Sequence, residues 1–488
     1  MFAGLALAGW ERTYGGSDHD IGSSVAQTSD GVYIVAGVTS SSFGAGSGDI
    51  YLVKTDAVGD TIWTRTYGGS DYDYGYSVAQ TSDGGYIVAG RTWSFGAGAT
   101  DVYLVKTDAV GDTIWTRTYG GSGNDWGWPV AQTSDGGYII AGWTESFGAG
   151  LYDVYLVKTD SDGDTLWTRT YGGSSGDYGN SVAQTLDGGY IVAGKTWSFG
   201  AGGYDVYLIK TDAVGDTIWT RTYGGSSGDE AYSVAQTSDG GYIVAGVYDY
   251  DYWEAGTGDV YLIKTDAVGD TIWTRTYGGS HDDYGRSVAQ TSDGGYIVAG
   301  WTESFGAGNY DVYLVKTDCD GDTMWTRTYG GSSGDYGYSV AQTSDGGYIV
   351  AGATESFGEG WYWYDVYLVK TDSLGYTGIE ENSPAVKPGN LALSAYPNPF
   401  NSAVTITIDC HSRANGNPEI EIYDINGRRV DNLSVGAYRI RPKNASTRLT
   451  PTGGQYIWQP DENIGSGVYL VRATVGANIV SKRVVYLK

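Results

Sequence analysis

Between Tyr76 and Tyr119 the apolar and aromatic residues fall into four short runs, each closed by turn residues. Tyr76-Ser77-Val78-Ala79-Gln80-Thr81 leads into Ser82-Asp83-Gly84-Gly85, an Asp-Gly hairpin signal. Tyr86-Ile87-Val88-Ala89-Gly90 follows, then a longer loop through Trp93-Ser94-Phe95-Gly96-Ala97-Gly98. Asp101 to Asp108 is the third run; Ala109-Val110-Gly111-Asp112 turns it into the fourth, Thr113 to Tyr119. Gly120-Gly121-Ser122 then begins the passage to the next copy. No helical period occurs anywhere, so the pattern predicts strands throughout. The same phrase, Trp-x-Arg-Thr-Tyr-Gly-Gly, opens at Trp10, Trp63, Trp115, Trp167, Trp219, Trp273 and Trp325, in steps of 53, 52, 52, 52, 54 and 52 residues. A fixed period of this size means an array of equal structural units.

The second and third runs of each unit are apolar at successive positions, which suits sheets covered on both faces. Four-stranded sheets stacked around an axis satisfy that demand, and the expected fold is an all-β, seven-bladed β-propeller over residues 10–374. A parallel β-helix is the rival, but its coils are usually shorter and lack hairpin turns at both ends of a strand. The seventh unit ends at Leu374-Gly375 without its fourth strand, while a spare one, Trp10 to Tyr14, stands at the start. That strand is expected to complete the last blade and remove the open edge. Turns after the first and third strands are short and nearly constant. The other connections are longer, aromatic and acidic, and form the candidate functional face. Residues 375–390 read as a linker. From 391 to 488 runs such as 403–408, 419–423, 468–471 and 484–487 predict a small Ig-like β-sandwich.

Charge sharpens this division. The chain carries 29 Lys+Arg against 57 Asp+Glu, a net −28; from Pro388 onward there are 11 basic and 7 acidic residues, leaving −32 on residues 1–387. So acidic a body repels nucleic acid and anionic membranes. Two cysteines, Cys319 and Cys410, offer neither a disulfide framework nor zinc spacing. No stretch approaches the ~18 apolar residues of a membrane helix. Residues 1–9 end in Ala-Leu-Ala and are expected to be a truncated signal-peptide remnant, or else a short apolar strand.

Tyr396-Pro397-Asn398-Pro399-Phe400-Asn401 resembles the opening motif of the C-terminal sorting domains of the type IX secretion system. Ile422 to Arg428, Gly467 to Val471 and the closing Lys482-Arg483-Val484-Val485-Tyr486-Leu487-Lys488 are similar in order and spacing. The resemblance implies a bacterial protein exported across the outer membrane, secreted or held at the cell surface, with that machinery as a partner. The repeats resemble secreted bacterial β-propeller repeats, which imply no particular chemistry.

Candidate chemistry is sparse. Asp160, Asp162 and Asp164, and Asp318, Asp320 and Asp322, have the oxygen-rich, Gly-turned look of calcium loops. In four other units the turn reads Asp-Ala-Val-Gly-Asp, and a tight turn with solvated carboxylates explains all of them. Calcium is the one cofactor considered, and no metal site is assigned. The same stretch resembles the structural Asp-box of sialidase-type propellers. The repeated Arg and Lys residues are expected to pair with repeated Asp residues from blade to blade or along the edge strand. His19, His281 and His411 lack a motif-like nucleophilic partner, so no catalytic residue is assigned. What remains is aromatic: Trp93, Trp143, Trp197 and Trp301 beside the loops, Tyr250 and Trp253 in the fifth unit, Trp361 and Trp363 in the seventh. Flat rings beside carboxylates suit sugar faces. The expectation is a non-catalytic binding or adhesion scaffold for an extracellular glycan or a protein partner. The alternatives are a polysaccharide hydrolase or lyase using loop carboxylates, and a passive structural component of the surface.

Overall fold

The computed structural model describes residues 9–41, 43–250, 258–358, 363–377, 391–396, 404–410, 419–424, 428–433, 454–458, 460, 464–475, 478–486 and 488. The chain divides into two compact units, residues 1–379 and 380–488. Among the described residues every regular element is a β-strand.

The first unit contains seven four-stranded antiparallel sheets. The second repeat shows their plan, with strands Asp73–Gln80, Tyr86–Thr92, Asp101–Thr107 and Thr113–Tyr119 paired in chain order. Six sheets are built this way. The seventh takes Asp335–Gln342, Tyr348–Thr354 and Asp365–Thr371, and its fourth strand is Trp10–Tyr14, in register from Trp10↔Lys370 to Tyr14↔Val366. No single sheet closes on itself. The pairing that the spare N-terminal strand suggested is present.

Second and third strands are buried along both faces, which explains their unbroken apolar runs. Ile87, Val88, Leu104 and Val105 are all 0% exposed. Alternation along these strands sends Val88 and Val105 into one inter-sheet cluster and Ile87 and Leu104 into the next. Each such side chain contributes roughly 1.5–3 kcal/mol by leaving water. One cluster joins Val35 and Val53 of the first sheet to Ile349, Ala351, Val366 and Leu368 of the last.

The repeated Trp-x-Arg-Thr-Tyr phrase is a joint between neighbouring sheets. Trp63 packs edge-on against Tyr86 of the next sheet at 5.9 Å. The Tyr67 hydroxyl donates to the Gly111 carbonyl at 2.7 Å, and Arg65 lies 3.5 Å from Asp112. Gly111 has φ +84°, and a β-carbon there would come within 3.0 Å of the Trp63 ring, so this turn needs glycine twice over. The same joint links the last sheet to the first, through Trp10 Nε1 to the Ala57 carbonyl and the Tyr14 hydroxyl to the Gly59 carbonyl. A second device repeats seven times: the Ser82 amide donates to Gln132 Oε1 of the next sheet, and the series ends with Ser344 donating to Gln27 of the first. Lys106, 3% exposed, stays within its own sheet, 2.9 Å from Asp83 of the hairpin turn.

The second unit has two antiparallel sheets. One pairs Leu391–Tyr396, Val404–Cys410 and Gly454–Trp458; the other orders Arg429–Leu433, Glu419–Asp424, Gly467–Val475 and Asn478–Tyr486. Trp458 bridges them. Its ring meets Tyr469 edge-on at 5.3 Å while its Nε1 donates to Asp431.

Candidate functional site

The first strand of each repeat carries a β-bulge. In the second repeat Gly75 faces Gly90 and Ser77 faces Ala89, so Tyr76 is one residue too many for the ladder. A bulge twists its strand and re-aims the extra side chain. The bulged residue is Ser23 in the first repeat, Asn180 in the fourth, Tyr232 in the fifth, Arg286 in the sixth and Tyr338 in the seventh. In the third, Trp128 and Pro129 together oppose one residue. All of these side chains line one cavity of about 380 Å³, to which every first strand contributes. Six sheets hold neighbouring first strands in step: a serine beside the bulge accepts from a backbone amide of another sheet, as Ser24 does from Val78 and Ser339 from Val25. Pro129 replaces that serine in the third repeat.

Anchors at the strand starts fix the bulge in place. Asp73, fully buried, accepts from the Gly69 amide and the Ser94 hydroxyl, both at 2.7 Å, and so ties two connecting loops to its strand. Asp125 and Asp177 do the same and also accept from Thr144 and Thr196. Gly75 lets adjacent sheets converge, since a β-carbon there would sit 2.8 Å from the Gly37 carbonyl oxygen.

Two residues before each bulge runs a second variable layer, of which Tyr74 also borders the cavity. Tyr74 faces Arg91 across the strand pair, Trp126 faces Trp143, Tyr178 faces Lys195, Glu230 faces Val247 and Tyr284 faces Trp301. The Arg91 guanidinium lies 3.4 Å over the Trp126 ring, with Trp93 at 4.5 Å and Tyr74 at 4.7 Å. Arg286 lies over Tyr232 at 3.9 Å and Trp301 at 4.8 Å. Contacts of this kind contribute about 0.5–2 kcal/mol each. Glu230 is enclosed by donors: Lys195 at 3.0 Å, the Tyr232 hydroxyl at 3.0 Å and Asn180 at 3.1 Å. Burial raises the Tyr338 hydroxyl to about 12 against the pull of Arg286, and raises Tyr76 and Tyr232 as well. These hydroxyls stay protonated at neutral pH and act as hydrogen-bond partners, not bases.

The sequence-derived aromatics fall into groups. Trp143 and Trp301 are strand residues of the second layer, packed on Trp126 (4.8 Å) and Tyr284 (4.9 Å). Trp93 joins them from its loop at the Arg91 cluster. Trp197, 55% exposed, stacks on Tyr204 at 4.1 Å, which in turn faces Lys195 at 4.4 Å. Tyr250 meets Tyr284 edge-on at 5.9 Å. Trp363 packs against His19 at 4.5 Å, away from the cavity lining. Trp253 and Trp361 lie outside the described residues.

Sequence reasoning placed Asp73 to Gly75 in a loop and began the strand at Tyr76; the strand starts three residues earlier. The lining residues Tyr76, Trp128, Asn180, Tyr232, Arg286 and Tyr338 were therefore missed. Their signal was available, because that column reads Ser, Tyr, Trp, Asn, Tyr, Arg, Tyr inside an otherwise uniform strand.

The aspartates considered for calcium hold turns. Asp160 Oδ1 accepts from the Asp162 and Asp164 amides at 3.0 and 2.9 Å, and Asp318 does the same for Asp320 and Asp322. Asp108 makes the equivalent bonds where the middle carboxylate is absent. Asp164 and Asp322 also lie beside Arg117 and Arg275. Among the described residues no three acidic, His or Cys side chains form a metal-holding group. Of the sorting motif, Tyr396 ends a strand and Lys482 and Arg483 pair with Val471 and Leu470; Pro397, Asn398, Pro399, Phe400 and Asn401 lie outside the described residues.

The secretion system C-terminal sorting domain family matches residues 394–457. This tail marks a protein secreted by the type IX system, to the cell surface or the extracellular space. The machinery of that system is a partner of the chain. The chain is also similar to the regulatory protein FlaEY of Caulobacter vibrioides, at 24% identity over 429 residues, covering 72% of this chain and 44% of that protein. It thus spans less than half the length of that relative.

Proposed function

We propose that the exported chain is a non-catalytic binding module, and that it captures an extracellular glycan in the cavity ringed by the seven bulges. One observation carries the reading: positions that vary among near-identical repeats gather around a single cavity. A scaffold kept uniform elsewhere concentrates its chemical differences where a ligand would meet them. The cavity lies at the small end of ligand pockets. Its tyrosines and Trp128 offer flat faces with polar edges, and Ser23, Asn180 and the serine ring offer hydroxyl and amide partners, a combination suited to a sugar ring. Convergence of unlike acid and base groups, which hydrolysis or elimination would need, is missing from the lining as described.

The architecture proposed with this function is a closed seven-bladed β-propeller with the N-terminal strand completing the last blade, followed by an Ig-like sandwich that serves as export address. The Trp10 and Tyr14 joint and the Ser344–Gln27 bond support closure. The aromatic loops around Trp93, Trp197 and Tyr250 would extend the surface offered to a longer chain, and adhesion would follow from capture at the cell surface.

The test is a glycan array probed with the full chain, wild type against the Trp128→Ala, Tyr232→Ala double variant. Binding by the wild type and its loss in a variant that still unfolds in a single cooperative transition is expected. Wild-type hits retained in the double variant would move the site away from the cavity. A blank from folded wild-type protein would end the glycan reading.

A further inference from the structure

The cavity is unlike the body that contains it in one respect, the sign of its charge. Residues 1–387 carry a net −32 by the count above, yet the cavity lining includes no Asp or Glu and one ionised side chain, Arg286. The guanidinium is held by two aromatic faces, Tyr232 and Trp301, and no ion pair or side-chain hydrogen bond occupies it among the described residues. The second-layer carboxylate Glu230 is already engaged by Lys195, Tyr232 and Asn180.

Beside the lining, the buried polar atoms without a hydrogen-bond partner are donors, while Oδ1 of Asp20, Asp73, Asp283 and Asp335 is in the same condition at the starts of the same strands. Trp128 Nε1, in the lining, is buried without a hydrogen-bond partner. Behind it, Trp126 Nε1 and both Nε and Nη1 of Arg91 are buried in the same condition. Buried polar groups are nearly always bonded, and a group left without a partner costs about 1–3 kcal/mol. The Trp128 N–H of the lining, beside a guanidinium held only by aromatic faces, is complementary to a ligand that presents acceptors at that point. Planar guanidinium recognition favours carboxylate or sulfate.

We infer that the cavity takes an anionic sugar, a ring bearing a carboxylate of the hexuronate type, with the carboxylate on Arg286 and the ring against Tyr232, Tyr338 and Trp128. This rests on the glycan reading above and narrows it. The source is either a free sugar acid or the end of an acidic polysaccharide. Size favours a single ring over a stretch of chain, since the space is about 380 Å³. The surrounding −32 supplies selectivity of its own, because a long polyanion would be repelled from the rim while one charge end-on reaches the guanidinium.

Isothermal titration of the full chain tests this with glucuronate, galacturonate, the corresponding neutral hexoses, acetate, and a short oligogalacturonide as probes. The hexuronates are expected to bind about tenfold or more tighter than their neutral counterparts, as hydrogen bonds to a charged group imply. Arg286→Met is expected to erase that difference, Arg286→Lys to keep part of it, and Arg65→Met, at a constant joint, to leave it intact. Retention of affinity by the oligomer would assign the chain end as source, and its loss the free sugar acid. Neutral hexoses binding as tightly as the acids would overturn the anionic inference and leave the glycan reading standing. Acetate binding as tightly as a hexuronate would overturn ring recognition, and with it the glycan reading. No binding of any probe by folded protein at millimolar concentration would overturn both.

Discussion

The two ends of the seven sheets obey different rules. At the end carrying the hairpin turns, copy matches copy: Lys106 with Asp83, Lys158 with Asp135 and Lys210 with Asp187 repeat one 2.9 Å pair, and the Gln bridges and Trp joints repeat beside them. Toward the other end the same strands carry Ser, Tyr, Trp, Asn and Arg at equivalent bulges. Repeats that interlock must be alike where they interlock. A site needs unlike groups, and the bulge column is where the scaffold can accept them, because an extra residue in a ladder has no partner to match. One end of the sheets is occupied with stability, and the other is the end at which we propose recognition.

The largest effect that could break this comparison comes from the seam between first and last sheets. Trp10 is 8% exposed and closes a cluster drawn from both. Trp10→Ala is expected to cost about 3–5 kcal/mol, visible in chemical denaturation of the full chain, as large-to-small core changes do. A loss below about 1 kcal/mol would mean the seam contributes little.

Acid comes next, and its sign differs between two sets of aspartates. Burial works against ionisation of the turn carboxyls, but Lys106, Thr81 and the Gly85 amide outweigh it and hold Asp83 at about 2; Asp135, Asp187 and Asp239 are likewise at about 2. Their contribution is present above the unfolded value near 4 and is lost as pH falls toward 2. Burial instead raises Asp20, Asp49, Asp101, Asp205, Asp229, Asp259 and Asp311 at the strand starts. The folded state therefore binds protons there before the unfolded state does, and stability rises as pH falls from neutral toward about 4. Melting temperature against pH should pass through a mildly acidic maximum. A curve that falls steadily from neutral pH downward would remove the second set from the account.

A smaller asymmetry sharpens the description of the constant end. Asp83→Ala strands the buried Lys106 ammonium with only the Thr107 carbonyl, and is expected to cost about 1–2 kcal/mol. Lys106→Met removes the buried charge together with its pairing and is expected to cost less. Equal costs in denaturant titrations would contradict this. The smallest effect is expected at Asp162, which has no counterpart in the Asp-Ala-Val-Gly-Asp turns. Asp162→Ala, or chelation of calcium, should change stability by no more than about 0.5 kcal/mol.

The constant end was legible in the sequence because its signals are local and repeated. Asp-Gly turns, unbroken apolar strands and the Trp phrase each predict geometry without knowledge of neighbours, and Trp10 to Tyr14 announced its partner by being surplus. The site was less legible. Trp143 and Trp301 were found as aromatics but assigned to loop flanks, since periodicity does not reveal that strands run on to Thr144 and Thr302. Arg286 and Tyr232 were overlooked because a bulge is a property of two paired strands, and one strand read alone shows only an odd residue before Ser-Val-Ala-Gln. The column of differences was on the page, but its convergence appears only when all seven sheets are placed together.

The most direct test of the division of labour measures melting temperature and glycan affinity on the same preparation of the Trp128→Ala, Tyr232→Ala variant. The account predicts a melting temperature lowered by no more than a few degrees, the loss of the Tyr232 contacts to Glu230 and Arg286 being its source, together with loss of binding. A collapsed melting temperature with undiminished affinity for the surviving folded fraction would make the bulge column part of the scaffold and contradict the account.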